Sequence, residues 1–238
     1  MRLDKFLVQT GRFSRKEAAG AVRRGTVTVD GEIARRPDLH IDPETQTVAV
    51  SGEEIPYRKF TYLMLHKPSG VVSASEDPRE ETVISLLPEH LRRIGLFPCG
   101  RLDKDTTGLL ILTNDGEGAH FVLAPKRHVP KTYYFEVAEP LSREDADALE
   151  AGVTLADGYE TKPSEIELSP DGRSGYITLT EGKYHQIKRM MGAAHNRITA
   201  LSRITFGTIK LDGSLTPGAW RYLTKEEEAL FSAARPKQ

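Results

Sequence analysis

The sequence predicts an α+β fold in two parts: a small N-terminal α+β module, then a mixed, mainly antiparallel β-sheet domain with flanking helices. Three observations predict it. Apolar residues near the N-terminus recur first at helical spacing and then in alternation. Turn pairs such as Asp30-Gly31 and Asp171-Gly172 sit beside strand-like runs, which is hairpin chemistry. Few strand–helix–strand units follow, so the larger sheet has little reason to be parallel.

Leu3, Phe6 and Leu7 follow helical spacing, and Gly11 stops the pattern. Ser14-Arg15-Lys16-Glu17 is a capping box, with Ala18, Ala19 and Val22 as the apolar face and Gly25 as the stop. Residues 26–29 alternate as a strand into Asp30-Gly31, and 47–50 form another. The first 50 residues are thus a compact module, and the polar stretch SGEEIPYRK, 51–59, reads as a linker. The remaining chain, 60–238, is the second domain. It opens with a strand over 61–65, broken by Lys67-Pro68-Ser69-Gly70. A buried strand is expected at 109–112 and a short helix at 117–123. A strand covers 131–137, and a helix runs from its cap at Ser142 to Gly152. A hairpin of 165–168 and 176–179 turns at Asp171-Gly172. Residues 185–194 are helical, 198–204 and 208–211 are strands, and Thr224 with Glu227 caps a terminal helix.

With 238 residues, 38% hydrophobic and 28% charged, the chain belongs to the soluble globular class. No apolar run approaches the roughly 20 residues of a membrane helix, so no membrane partner is expected. The opening MRLDKFLVQTG lacks the pattern of a secretory signal. One cysteine, Cys99, excludes an internal disulfide and fits a reducing, cytoplasmic location. It reads as a small buried hydrophobe, since no nearby histidine supports a nucleophile.

The net charge of −1 hides two basic stretches. Residues 1–36 hold nine Lys/Arg against four acids, and residues 182–211 hold six Lys/Arg and no acid. Charge clusters are commonly solvated faces. Two of them on a near-neutral chain, one acid-free, favour polyanion binding. In the second stretch Gln186, Lys188 and Arg189 open a helix, where backbone N–H groups and cations together attract anions. Tyr133 and Tyr134 lie beside Lys131, and an aromatic among cations can stack on a base, although strand packing is the commoner role.

No metal or nucleotide cofactor is expected. His185 and His195 are ten apart, no Cys/His cluster has ligand spacing, and no phosphate-binding glycine loop is present. The carboxylates remain. In GRLDKDTTGLLILTND, Asp103 and Asp105 sit on a loop entering a buried strand, next to Arg101 and Lys104. Strand ends display catalytic groups. A charged turn capped by Thr106 and Thr107 and ended by Gly108 fits the same residues, and composition does not separate the two.

The same stretch resembles the G-R-L-D-x-x-S/T-x-G-L signature of the RsuA-type pseudouridine synthases. LHKPSGVV is similar to that family's N/H-K-P-x-G motif and KTYYFEV to its K-x-Y motif. EGKYHQIKRM resembles E-G-R/K-x-H-Q-V/I-R/K-R-M, and LTPGAWRYL resembles the L-x-P-G-x-W/Y-R-x-L ending. The first 50 residues resemble an S4 RNA-binding domain. Five motifs in order cover nearly the whole chain.

The resemblance implies an rRNA pseudouridine synthase that needs no cofactor. Asp103 would be the catalytic aspartate and Asp105 structural. Tyr133 would pack on the target uracil, and Lys188, arginine in many relatives, would pair with Asp103. Arg101 would hold or displace the flipped nucleotide, with Gln186 also at the substrate. Arg15, Lys16, Arg23 and Arg24 would form the RNA face of the S4 module, joined by Lys131 and Arg189. The start MRLDKF, the form GRLDKDTTG and the short tail resemble the branch acting on 16S rRNA, and a monomer is expected. A 23S rRNA synthase and a non-catalytic rRNA-binding assembly factor are the rival readings. A glycosidase is a third, and it would want two carboxylates flanking a sugar.

Overall fold

A computed structural model describes residues 1–232 of the protein; residues 233–238, the end of the expected 60–238 domain, lie outside the described residues. The chain forms two compact units. The first comprises Met1–Thr61 together with Ile84–Leu96, a return that a linear division at 51–59 does not include. It contains α1 (Leu3–Gln9), α2 (Arg15–Arg23), β1 (Val27–Val29), β2 (Glu32–Ile33), β3 (Val48–Val50), β4 (Glu53–Glu54) and α3 (Glu89–Arg92). The four strands form one antiparallel sheet, β2-β1-β3-β4.

The capping box at Ser14 is closed in both directions, with Glu17 N donating to Ser14 Oγ and Ser14 N to Glu17 Oε2. The face of α2 that it starts buries Ala18, Ala21 and Val22, with Ala19 only half-buried, against Leu3, Phe6, Leu7 and Val27. Gly11, at φ +71, is required by close approach: a Cβ there would lie 1.8 Å from the His90 carbonyl oxygen of the returning segment. Part of the stretch read as a linker is structured, because β4 pairs with β3 and Ile55 joins this core.

The second unit carries β5 (Tyr62–Lys67), β6 (Phe97–Cys99), β7 (Thr107–Thr113), α4 (Gly116–Leu123), β8 (Lys131–Val137), α5 (Arg143–Ala151), β9 (Glu165–Leu168) and β10 (Ser174–Leu179). It continues through α6 (Gln186–Ala193), β11 (Ile198–Arg203), β12 (Thr205–Phe206), β13 (Ile209–Lys210), β14 (Trp220–Tyr222) and α7 (Lys225–Ser232). Eight strands make its main sheet, in the order β14-β5-β7-β11-β8-β10-β9, with β6 also on β7. All pairings are antiparallel except β7 with β11. The fold is therefore α+β with a mainly antiparallel sheet, as the hairpin chemistry predicts.

One edge of β7 is shared. β6 pairs with its C-terminal half, Cys99 opposite Ile111, and β11 with its start, Ser202 opposite Thr107. Between them the buried Arg203 donates from Nε to the Leu109 carbonyl at 2.7 Å. Helices α5 and α6 close the core around Phe135, Ile166, Ile177 and Leu201 with Leu149, Ile187, Met190 and Met191. Cys99 is buried in this unit, and burial pushes its thiol up to about 12, so it is unreactive. No helix among the described residues is long and apolar enough to cross a membrane.

Candidate active site

Asp103 lies on the loop between β6 and β7, and the loop is fastened on both sides of it. Before it, Ser73 Oγ donates to the Leu102 carbonyl (2.9 Å) and accepts from Leu102 N–H (3.1 Å). After it, Lys67 at the end of β5 donates from Nζ to the carbonyls of Pro68 (3.0 Å), Lys104 (3.2 Å) and Thr106 (2.9 Å). Gly70 N–H adds a bond to Lys104 O at 2.8 Å, and Thr106 N–H donates to Asp103 O at 3.1 Å. Burial pushes Lys67 down to about 8, so at neutral pH its ammonium still supplies three N–H donors to three carbonyls. This corrects the expected break of the strand before Lys67: the strand runs through it, and the side chain is fully buried.

Gly108, the second residue of β7, has φ +98. A Cβ there would lie 2.3 Å from Arg203 O and 2.6 Å from Arg203 N, so only glycine lets β11 meet β7 at this point. Opposite the loop stands the first turn of α6. Lys188 places Nζ 3.0 Å from Asp103 Oδ2 and 2.6 Å from Asp105 Oδ1. Burial pulls Lys188 down, but the two carboxylates more than offset it and hold its ammonium above the usual lysine range. The hydrogen bond from Lys188 holds Asp105 below the usual carboxylate range. Asp105 is thus not merely a turn residue: it shares the cation with Asp103, from a side chain 70% exposed against 27% for Asp103.

These groups border a pocket of about 500 Å³ lined by Arg101, Asp103, Tyr133, His185, Gln186 and Lys188, among others. Tyr133 reaches it from β8, where it lies opposite Ile177 of β10 and Arg203 of β11. All five residues expected at the substrate therefore line one pocket, although Gln186 has its amide committed. Gln186 Nε2 donates to Glu181 (2.6 Å) and Oε1 accepts from Lys183 N–H (2.9 Å), which fastens the loop ahead of α6.

Two expected RNA contacts are elsewhere. Lys131 does not line the pocket; its Nζ donates to the Val129 carbonyl at 2.8 Å, and burial, helped by Arg203, pushes it down to about 8. Arg189 is engaged with Asp157 at 2.5 Å. Arg15, Lys16, Arg23 and Arg24 are exposed on and just after α2.

Sequence reasoning missed three groups. Lys67 looked like a turn lysine because proline follows it. His185 places Nε2 3.5 Å from Asp103 Oδ1, and Tyr184 stacks on it. Both stood in the acid-free stretch, where aromatics beside cations were the available signal.

A small α+β module is thus joined to a domain whose mainly antiparallel sheet presents an aspartate, a lysine and a tyrosine in one pocket. Residues 1–46 match the S4 domain and residues 61–193 the RNA pseudouridylate synthase family. The chain belongs to that family, whose members are isomerases. It is 49% identical over 235 residues to the uncharacterized RNA pseudouridine synthase YtzG of Bacillus subtilis, covering 98% of each chain. It is 41% identical to ribosomal small subunit pseudouridine synthase A of Vibrio cholerae, with 96% of this chain and 98% of that one aligned. The same-named Escherichia coli protein is 39% identical, over 96% and 99% of the two chains. A crystal structure of a pseudouridylate synthase superposes with a TM-score of 0.68 at 34% identity, covering 97% of this chain and 99% of that one.

Proposed function

We propose that the protein converts one uridine of 16S rRNA to pseudouridine, with Asp103 as the catalytic residue. The observation that carries this reading is the Asp103 carboxylate 3.0 Å from Lys188 in a pocket also lined by Tyr133. The names of the Vibrio cholerae and Escherichia coli relatives support the small-subunit substrate.

The reaction breaks the N1–C1′ bond of uridine and joins C1′ to C5. The C5 proton leaves, and N1 gains one, so no electron or group donor is consumed. The reacting atoms are buried in stacked RNA, so the base must be flipped out. The π-face of Tyr133 offers the flipped uracil a surface, and Arg101 an exposed cation beside it. An ionised carboxylate at Asp103 can attack C1′ or take a ribose proton, with the Lys188 ammonium 3.0 Å away as its ion-pair partner. The reading includes a monomer acting in the cytoplasm, where 16S rRNA is found. The N-terminal module, near residues 1–50, would hold the RNA through Arg15, Lys16, Arg23 and Arg24.

Mapping pseudouridines in rRNA from cells lacking the protein tests this. One 16S position should lose its pseudouridine, and wild-type protein should restore it while Asp103→Asn does not. Loss from 23S rRNA would select the large-subunit reading. No loss, with rRNA binding intact, would leave a non-catalytic assembly factor.

A further inference from the structure

Tyr184 is the most exposed of the large hydrophobic side chains described, at 73%. It is not loose. Its ring stacks on His185, with centroids 3.8 Å apart and planes 21° apart. Both rings line the pocket that holds Asp103. His185 takes a left-handed φ of +49, uncommon outside glycine, and its Nε2 lies 3.5 Å from Asp103 Oδ1. The backbone beneath is held by Gln186, as described, and by Arg189, whose Nη1 donates to the Tyr184 carbonyl at 3.3 Å.

Tyr184 therefore buries little of itself, yet it is presented at a fixed place beside the reacting carboxylate. One side of the ring is covered by the imidazole and most of the rest meets solvent. A fixed aromatic face costs little to occupy, because little order is lost when a ligand stacks on it. The surrounding chain, residues 182–211, holds no acid, so a polyanion meets no repulsion from it.

We propose that the Tyr184–His185 stack is a second base subsite, which takes the nucleobase adjacent to the flipped uridine. This rests on the reading that the substrate is a uridine in RNA. Flipping one base strips its neighbour of a stacking partner. An aromatic face next to the pocket replaces that partner, and it does so for any base because every base has a π-face. Tyr133, which lines the same pocket from β8, is left for the target uracil, so two rings serve two bases. His185 is the positioning residue of the pair: it backs Tyr184 and fixes its distance from Asp103.

The test uses 16S rRNA fragments spanning the modified uridine, with 2-aminopurine or an abasic site placed at each neighbouring position in turn. Wild-type protein should quench 2-aminopurine at one neighbour, Tyr184→Phe should keep the quench, and Tyr184→Ala should lose it. Tyr184→Ala should raise KM by about 5- to 150-fold, the range that one lost base–aromatic stack corresponds to. That rise should exceed the fall in rate at saturation. On the fragment abasic at that neighbour, wild type and Tyr184→Ala should bind alike, because the partner of the ring is already gone. A Tyr184→Ala variant with unchanged quench and KM, or with the same loss on the abasic fragment, overturns the subsite while wild-type turnover leaves the function standing. Wild-type protein that makes no pseudouridine in the intact fragment overturns the functional reading itself. A melting curve for each variant checks folding, and the exposure of Tyr184 leads us to expect little change.

Discussion

Lys67→Met keeps the unbranched stem and removes the buried ammonium. Three carbonyls, those of Pro68, Lys104 and Thr106, lose this donor. The Lys104 carbonyl keeps the Gly70 N–H, so two acceptors are orphaned, and at about 1 kcal/mol or more for each the loss at pH 7 is about 2 kcal/mol. The pH dependence is the sharper part. Burial lowers Lys67 from 10.5 to about 8 in the folded protein. Below 8 both states hold the proton and the difference between variant and wild type is constant. Between 8 and 10.5 the unfolded chain holds a proton that the native protein has released, so wild-type stability rises with pH. By pH 9 that rise is about 1.4 kcal/mol, and it is complete at about 3 kcal/mol above 10.5. Lys131 is lowered in the same way, but it is common to both proteins and cancels in the difference. Urea unfolding at pH 7, 8 and 9 measures the gap. The lone tryptophan, Trp220, is the probe, since it pairs with Leu65 in the strand that carries Lys67. The gap should widen with pH. A constant gap would show that Lys67 does not titrate near 8, and a narrowing one would reverse the sign of the whole account.

Lys188→Met should lower kcat at least about tenfold, roughly 1.4 kcal/mol in the barrier, while Lys188→Arg retains most activity; equal losses would rule out charge pairing. Asp105→Asn should keep much activity, because an amide oxygen still accepts from Lys188, and a loss as complete as that of Asp103→Asn would mean the two aspartates act as one unit. Tyr133→Ala should cost about 1–3 kcal/mol in kcat/KM and Tyr133→Phe much less, and a matching loss in both would point to the hydroxyl. Replacing Arg15, Lys16, Arg23 and Arg24 with alanine should make the salt dependence of rRNA binding shallower by about two to three units, since each phosphate contact contributes roughly 0.7–0.9. An unchanged slope with a lowered Tm would make α2 a purely structural helix.

What was legible in the sequence was local. The caps at Ser14, Ser142 and Thr224 depend on residues three apart, and each is made as expected. The strand at Lys131–Val137 announces itself by its β-branched and aromatic run. β6 does not: Phe97-Pro98-Cys99 is three residues with a proline at the centre, and only the free edge of β7 makes it a strand. β14 is likewise recruited by β5. At the site, the motifs singled out Asp103, Tyr133 and Lys188, and they line one pocket. Asp105, sharing Lys188, and Lys67, beneath the loop, depend on tertiary contacts that spacing does not encode. Lys131 reads as a surface cation, yet the chain folds it onto its own Val129 carbonyl and the face of Phe206.

The fastening of the Asp103 loop bears on heat. Leu102, Lys104 and Thr106 are each tied to a group outside the loop or to Lys67, so the carboxylate is oriented as the domain folds rather than as RNA arrives. A loop ordered only on binding would surrender about 1–2 kcal/mol of backbone entropy per residue at every turnover, and that loss would grow with temperature. Here the loop has no separate melting to undergo. The rate at saturating RNA should climb with temperature until the second unit itself unfolds, with the two curves breaking together, and inactivation and loss of the fold should be a single event.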